Sequence, residues 1–390
     1  MIKALEGSQA LAEAVALCRP QVIAAYPITP QTHIVENLAK LVANDKLQCE
    51  YVSVESEFSA ASVALGAVAA GSRAYTASAS QGILLMSEVL FNIAGMRIPL
   101  VMTCANRAVS APLSIWNDQQ DSMAVRDAGW IQLYCGDNQE AVDTTIQAYK
   151  IAEECELPVM VCVDGFTLTH TLEAIDIPSV EQVDLFLPPF QFSRTLTSQQ
   201  PMSAGALVAP DIYSEARYSH HQALLKAAEV IERVDNEWQT ATGRGYGGLV
   251  KVELNPDGET GLLVLGSATG TFYDAIVEQA LDEVRLIRLR SFRPFPIAAL
   301  KEACAGLKRL IVVERALSLG SGGIVTAELR AALAGSAAMP LIHSFAIGLG
   351  GRDIPISTVA DLLARVEGAT EPVAFEIFAI DSDKLSPEDQ

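Results

Sequence analysis

Four short segments carry residue types that could act together on a small anion beside a heterocycle. Thr29 offers a hydroxyl within Tyr26-Pro27-Ile28-Thr29-Pro30, and Val54-Glu55-Ser56-Glu57 offers two acids. Ser80 and Gln81 add a hydroxyl and an amide within Ser78-Ala79-Ser80-Gln81-Gly82, and Asn106-Arg107 adds a fixed cation. Glu57 is the most telling of these. It heads the run Glu57-Phe58-Ser59-Ala60-Ala61-Ser62-Val63-Ala64-Leu65-Gly66-Ala67-Val68-Ala69-Ala70-Gly71, where almost everything is small and apolar. Such a run predicts a helix packed closely on all sides, because residues without bulk let neighbouring backbones approach. An acid at its mouth is either a solvated dipole-facing group, worth under ~1 kcal/mol, or a partly buried acid with a proton to share. Each residue has a bland alternative: Thr29 as a helix cap, Arg107 as a surface ion-pair partner, Gly82 as a helix start. The case for a site rests on their convergence.

Convergence follows from the elements that must hold them. Strand patterns at 21–26, 48–54, 73–77 and 98–104 alternate with helical patterns at 31–42, 56–71 and 82–94, and a helix at 139–154 precedes a strand at 158–163. Strand–helix alternation with short turns predicts a doubly wound parallel sheet, whose ligands sit at the carboxyl ends of the strands. Thr29, Glu57, Ser80/Gln81 and Arg107 each follow one of those ends. Residues 173–257 break the rhythm with Pro178, Pro188, Pro189, Pro201 and Pro210 and the turn Gly243-Arg244-Gly245-Tyr246-Gly247-Gly248, and only 214–234 reads as helix there. That stretch is read as a connector. A second α/β unit follows at 258–368, with strands at 261–266, 284–289, 309–313 and 341–346 and helices at 272–281, 297–305, 324–334 and 356–366, and an acidic tail at 369–390. The first unit is 1–172.

Composition narrows the functions. The 390 residues are enough for two α/β units, and 50% of them are hydrophobic, which suits sheets covered by small-residue helices. A net charge of −20 argues against nucleic acid or an anionic membrane as partner. No apolar run reaches the ~20 residues that span a bilayer, and Met1-Ile2-Lys3-Ala4-Leu5-Glu6-Gly7 does not read as a secretory leader, so a cytoplasmic location is expected. The seven cysteines are scattered without C-x-x-C spacing and read as buried thiols; the five histidines form no ligand pattern in the sequence. No metal is therefore assigned to this chain. Phosphate motifs are poor: there is no G-x-x-x-x-G-K-[ST], and neither Gly320-Ser321-Gly322-Gly323 nor Gly348-Leu349-Gly350-Gly351 completes G-x-G-x-x-G.

With those residues in view, the chain resembles the α subunits of the pyruvate branch (pyruvate synthase) of the thiamin-diphosphate-dependent 2-oxoacid:ferredoxin oxidoreductases. The matching segments are Tyr26-Pro27-Ile28-Thr29-Pro30, Val54-Glu55-Ser56-Glu57, Ala79-Ser80-Gln81-Gly82, Ala105-Asn106-Arg107-Ala108-Val109-Ser110-Ala111-Pro112 and Ile115-Trp116-Asn117-Asp118-Gln119-Gln120-Asp121. In the second unit, Phe292-Arg293-Pro294-Phe295-Pro296 and Gly348-Leu349-Gly350-Gly351-Arg352-Asp353-Ile354 also match. The resemblance implies a pyrimidine-binding thiamin domain followed by a domain like the C-terminal one of transketolase. It implies a β subunit that holds the diphosphate and Mg2+, small iron–sulfur and γ-type subunits with [4Fe–4S] clusters, ferredoxin as acceptor and coenzyme A as co-substrate. The absence of a Gly-Asp-Gly motif and of cysteine clusters fits that division.

The resemblance also implies roles. Glu57 is the acid that shares a proton with the thiamin pyrimidine, a task suited to a dry site, with Glu55 as its rival. Arg107 grips the substrate carboxylate through paired charge-assisted hydrogen bonds; Thr29 reaches the substrate and Gln81 the cofactor. The expected reaction is reversible oxidative decarboxylation of pyruvate to acetyl-CoA and CO2. The alternatives are the same chemistry on 2-oxoglutarate or a branched-chain 2-oxoacid, a cluster-free dehydrogenase or transketolase-type enzyme, and a non-catalytic scaffold.

Overall fold

The computed structural model describes residues 2–336 and 338–388. Its centre is a seven-stranded sheet in the order Ser291–Arg293, Ile131–Tyr134, Val159–Asp164, Val101–Asn106, Ala74–Ser78, Val22–Ala25, Glu50–Ser53. Every neighbour pair in it is parallel except the first. Central strands such as Val101–Asn106 are buried along their whole length, as a parallel sheet covered on both faces requires. Helices Gly7–Leu17, Thr32–Ala43 and Asn138–Cys155 cover one face around Leu11, Ile34, Ile146 and Tyr149. Helices Glu57–Ala69, Ser80–Leu85 and Ser87–Gly95 cover the other.

A second, six-stranded sheet runs Glu376–Ile377, Leu341–Ala346, Arg309–Glu314, Thr260–Val264, Val284–Leu289, Val250–Leu254, with only Val250–Leu254 antiparallel. The two sheets share a core. Ala61, Ile83 and Ile93 of the first unit belong to one buried cluster with Leu263, Ile287 and Leu310 of the second. Burial at ~25 cal/mol per Å2 of apolar surface therefore holds the halves together as well as each half alone. The short strand Ser291–Arg293 adds a stitch by pairing antiparallel with Ile131–Tyr134.

Several expectations need correction. The stretch 173–257 is more than a connector. Leu172–Asp176 pairs with Ile2–Glu6 in a separate ribbon, Val180–Phe186 is a capped helix, and Val250–Leu254 is the edge of the second sheet. Its helix runs Pro210–Thr242, 33 residues and not the 21 expected, opening on Pro210 and ending at Gly243 in the left-handed region. Pro at the first turn and Gly after the last are the expected boundary chemistry. Its C-terminal half buries Ala227, Ile231, Val234 and Trp238 in the first unit's core. The helix expected at 82–94 is two, broken at Met86, whose φ/ψ of −86/2° is not helical. The strand Ile131–Tyr134 was not expected, and the tail contributes Glu376–Ile377 to the second sheet. Finally, Glu57–Ala69 is not packed on all sides: Phe58, Ser62 and Gly66 form an exposed face. In the described residues a Cβ at Gly66 would meet nothing within 4 Å.

Candidate active site

The carboxyl ends of the first sheet bring the sequence candidates to one rim. Val22–Ala25 leads to Thr29, Glu50–Ser53 to Glu57, Ala74–Ser78 to Ser80 and Gln81, and Val101–Asn106 to Arg107. Glu57 is the first residue of its helix. Ser56 caps that helix by accepting the Ser59 N–H at 3.2 Å, which leaves the acid in the first turn facing inward.

Glu57 is only 6% exposed, and none of the described residues donates a hydrogen bond to its carboxylate. It lies against the next turn. A Cβ on Gly82 would fall 2.7 Å from Glu57 Cγ, 2.8 Å from its Oε1 and 2.3 Å from Ser78 Oγ. Only glycine permits that approach. The Ser78 hydroxyl is itself buried without a partner among the described residues. A buried hydroxyl left unsatisfied is an expensive arrangement in a closed chain; beside an acid that none of the described residues satisfies, it fits a polar group supplied from outside. Glu55, the rival acid, is exposed; it accepts from the Ser59 hydroxyl, and this hydrogen bond holds its carboxyl below the usual range. The two acids do not share a site.

Arg107 is 7% exposed and lacks a carboxylate partner among the described residues. Its Nε donates to the Ser114 carbonyl at 3.0 Å and its Nη1 to the Thr29 carbonyl at 2.8 Å. Nη2 is left over, so the guanidinium is oriented by main chain while its charge is unspent. Burial pulls its pKa down, and the charge of Asp121 opposes that. The structure thus joins Thr29 to Arg107, although through the Thr29 carbonyl; the Thr29 side chain is exposed. Gln81 is half-buried, and its Oε1 accepts from Ser80 Oγ at 2.5 Å.

One organising residue had no role in the sequence reading. Asp121 is fully buried. Its Oδ2 accepts the main-chain N–H of Ser80 at 2.8 Å and of Arg107 at 3.0 Å; its Oδ1 accepts Asn106 Nδ2 at 2.8 Å and Ser122 N at 2.8 Å. Burial raises its pKa, and these donors work against that. Ser80 has φ +47°, a left-handed conformation that a non-glycine residue holds only when its surroundings compensate. The Asp121 acceptor is part of that compensation. The signal was present as an acid inside Ile115-Trp116-Asn117-Asp118-Gln119-Gln120-Asp121, but nothing in its spacing revealed its partners.

The same segment is clamped by the second unit. Gly350 N donates to Asp118 Oδ2 at 3.0 Å, Gln119 N donates to the Arg315 carbonyl at 2.7 Å, and Leu317 N donates to Gln120 Oε1 at 3.1 Å. A Cβ on Gly351 would sit 2.3 Å from Trp116 Cβ, so the glycine-rich turn is the seat of the loop and not a phosphate cradle. Arg315 Nη1 reaches Asp164 Oδ2 at 3.3 Å, and Ser267 Oγ donates to the same oxygen at 2.5 Å. The loop that positions Arg107 is therefore held from both halves of the chain.

The chain's two α/β units, each on a largely parallel sheet, have the architecture of a thiamine-diphosphate-binding fold, and at its rim Glu57 and Arg107 lack ion partners among the described residues. Residues 13–236 match the family model "Pyruvate flavodoxin/ferredoxin oxidoreductase, thiamine diP-bdg", and residues 258–359 match "Pyruvate:ferredoxin oxidoreductase core domain II". The chain belongs to the pyruvate flavodoxin/ferredoxin oxidoreductase family. Pyruvate synthase subunit PorA of Methanosarcina barkeri is 45% identical over 93% of this chain and 92% of its own. Ketoisovalerate oxidoreductase subunit VorA of Pyrococcus horikoshii is 39% identical over 94% and 93%. Among solved structures, the 2-oxoglutarate:ferredoxin oxidoreductase of Magnetococcus marinus has a TM-score of 0.70 at 19% identity, covering 93% of this chain and 65% of that one. A split-gene transketolase has a TM-score of 0.54 at 12% identity, covering 93% and 98%. These two show the shared fold. No helix among the described residues is long and apolar enough to cross a membrane.

Proposed function

We propose that this chain is the α subunit of a pyruvate:ferredoxin oxidoreductase and supplies the pyrimidine side and the substrate clamp of a thiamin diphosphate site. The observation that carries this reading is a buried acid, Glu57, and a buried cation, Arg107, neither with a side-chain ion partner among the described residues, with Asp121 tying the Arg107 strand end to the Ser80 turn whose Gly82 packs against Glu57. Thiamin diphosphate, when bound, supplies a carbon nucleophile and an electron sink. Glu57 holds or accepts a proton at its carboxylate, facing the cofactor's aminopyrimidine. Its side chain packs against Gly82, which fixes where the carboxylate sits. Arg107 offers its remaining N–H groups to the carboxylate of the 2-oxoacid, a charge-assisted contact favoured in a dry site. Thr29, whose side chain is exposed at the rim, contributes its hydroxyl to the substrate, and Gln81 contributes its amide to the cofactor.

The remaining parts follow from the same reading. Residues 1–172 act as the pyrimidine-binding domain and 258–368 as the transketolase-like domain. A β subunit holds the diphosphate and Mg2+ and covers the open face at Phe58, Ser62 and Gly66. Small iron–sulfur and γ-type subunits carry [4Fe–4S] clusters from which ferredoxin takes electrons, and coenzyme A accepts the acyl group. A reaction drawing on ferredoxin and coenzyme A belongs in the cytoplasm. The relative named for ketoisovalerate favours a branched-chain 2-oxoacid as the second reading. The purified complex, assayed for viologen reduction with coenzyme A, should prefer pyruvate over 3-methyl-2-oxobutanoate and 2-oxoglutarate. Preference for either of the latter overturns the pyruvate assignment.

A further inference from the structure

Three side chains from distant parts of the sequence meet beside the two-stranded ribbon of Ile2–Glu6 and Leu172–Asp176. Glu6 ends the strand Ile2–Glu6, which pairs antiparallel with Leu172–Asp176 in a register that sets Glu6 opposite Leu172. That pairing brings Glu6 to His170, two residues earlier in the chain. His33 stands in the first turn of helix Thr32–Ala43. The imidazoles of His33 and His170 stack with centroids 4.6 Å apart, and His33 Nδ1 is 2.6 Å from Glu6 Oε1. One potential ligand atom from each of the three lies within 4.8 Å of the others. In the sequence these residues form no pattern, because strand pairing and a helix start assemble them.

We propose that Glu6, His33 and His170 form a binding site for a divalent transition cation of the zinc class. Two imidazole nitrogens and one carboxylate oxygen are the donor set of three-ligand zinc sites that keep a position open to solvent. Imidazole favours such cations over Mg2+ and Ca2+, which select all-oxygen ligands. The side chains of His33 and Glu6 are 45% and 32% exposed, which gives a cation a path in. An outer partner is in place. His170 Nδ1 lies 2.7 Å from Thr169 Oγ1, and that oxygen also accepts the Phe166 N–H at 2.9 Å. With Nδ1 donating to Thr169, His170 presents Nε2 as ligand, the arrangement by which outer hydrogen bonds orient ligating histidines.

The site has a structural consequence. It ties the ribbon Ile2–Glu6 to a helix that begins three residues after Thr29, and to His170, whose ring packs 4.7 Å from Phe166. Phe166 in turn packs 4.7 Å from Trp116, next to the loop that holds Arg107. None of the three ligands is a residue assigned to the chemistry, so the site stands independently of the proposed reaction.

The test uses the full chain, stripped with EDTA and titrated calorimetrically with ZnCl2 and by visible absorption with CoCl2. The expected result is one equivalent of bound metal, visible d–d bands, and a rise in melting temperature that EDTA reverses. His33→Ala and His170→Ala should each weaken affinity at least about tenfold. Thr169→Val, which keeps every ligand, should weaken it about 10- to 100-fold, the range for outer-partner loss. Absence of binding overturns the proposal, as does equal binding by the wild type and all three variants. Thiolate-to-cobalt charge-transfer bands in place of the d–d bands would assign the metal to cysteine and also overturn it.

Discussion

The main-chain N–H of Arg107 and that of Ser80 donate to the same oxygen, Oδ2 of Asp121, at 3.0 and 2.8 Å. This one buried carboxylate sets the distance between two strand ends. One carries the substrate clamp, and the other carries the turn against which Glu57 rests. Asp121→Asn places an N–H2 group near donors and leaves at least one of them unpaired. A hydrogen bond to a charged group contributes roughly 1.5–3 kcal/mol, so kcat/KM should fall about 10- to 100-fold with the KM for the 2-oxoacid raised. Steady-state kinetics on the assembled complex check this; unchanged kinetics would show that Asp121 fixes the fold alone.

Arg107→Lys keeps the charge but not the planar fork. A lysine cannot hold the Ser114 and Thr29 carbonyls while also presenting a carboxylate clamp. The loss of a buried charged contact is about 2–5 kcal/mol. The expected outcome is a KM for the 2-oxoacid raised by at least about thirtyfold, with thermal stability little changed. A KM equal to wild type would remove Arg107 from the substrate site.

Gly82→Ala probes the approach of Glu57 to the next turn. The added methyl would lie within 2.8 Å of the Glu57 side chain and must displace it. Overpacking of this kind costs about 1–3 kcal/mol. A lowered melting temperature is expected together with a fall in kcat; Gly66→Ala, where the described residues leave open space, should leave the isolated chain's melting temperature unchanged or raised.

Much of this arrangement was legible before the structure, for reasons tied to particular residues. Alternating patterns located the strands before Thr29, Glu57, Gln81 and Arg107, and a doubly wound sheet forces those ends to one rim. Glu57 stood out because it interrupts the transition from an apolar strand to a small-residue helix. Asp121 did not, because its partner Ser80 is 41 residues away and joined to it only in three dimensions. The break at Met86 was hidden because Gly82 to Ala94 carries a continuous apolar pattern without proline. Ser291–Arg293 and Ile131–Tyr134 were missed as strands of three and four residues, too short for a two-residue period to declare itself. The exposed face of Phe58, Ser62 and Gly66 was read as packed because a sequence of small residues does not say whether the neighbour is its own chain or another.

Asp118 gives a pH dependence with a definite sign. Burial pushes its carboxyl up to about 6, although Gln120 and Gly350 N–H groups pull the other way. The unfolded chain ionises this group near the usual 3.8, so the folded state binds more protons between those values. Stability from this group is therefore present below about pH 4 and lost as pH rises through about 6, by an order of ~3 kcal/mol. Asp118→Asn also sets an N–H2 group against the Gln120 or Gly350 N–H, so its melting temperature relative to the wild type should be more favourable at pH 7.5 than at pH 5. An equal shift at both values would contradict the assignment.

The most direct measurement is turnover by the assembled complex carrying Glu57→Gln, with pyruvate, coenzyme A and a viologen acceptor. Glutamine keeps the shape but cannot share the proton. General acid–base groups contribute about 10^2- to 10^4-fold, so kcat should fall at least about a hundredfold while subunit assembly and melting temperature stay as in the wild type. Near-wild-type turnover would contradict the account and leave Glu57 as a buried helix terminus in a scaffold.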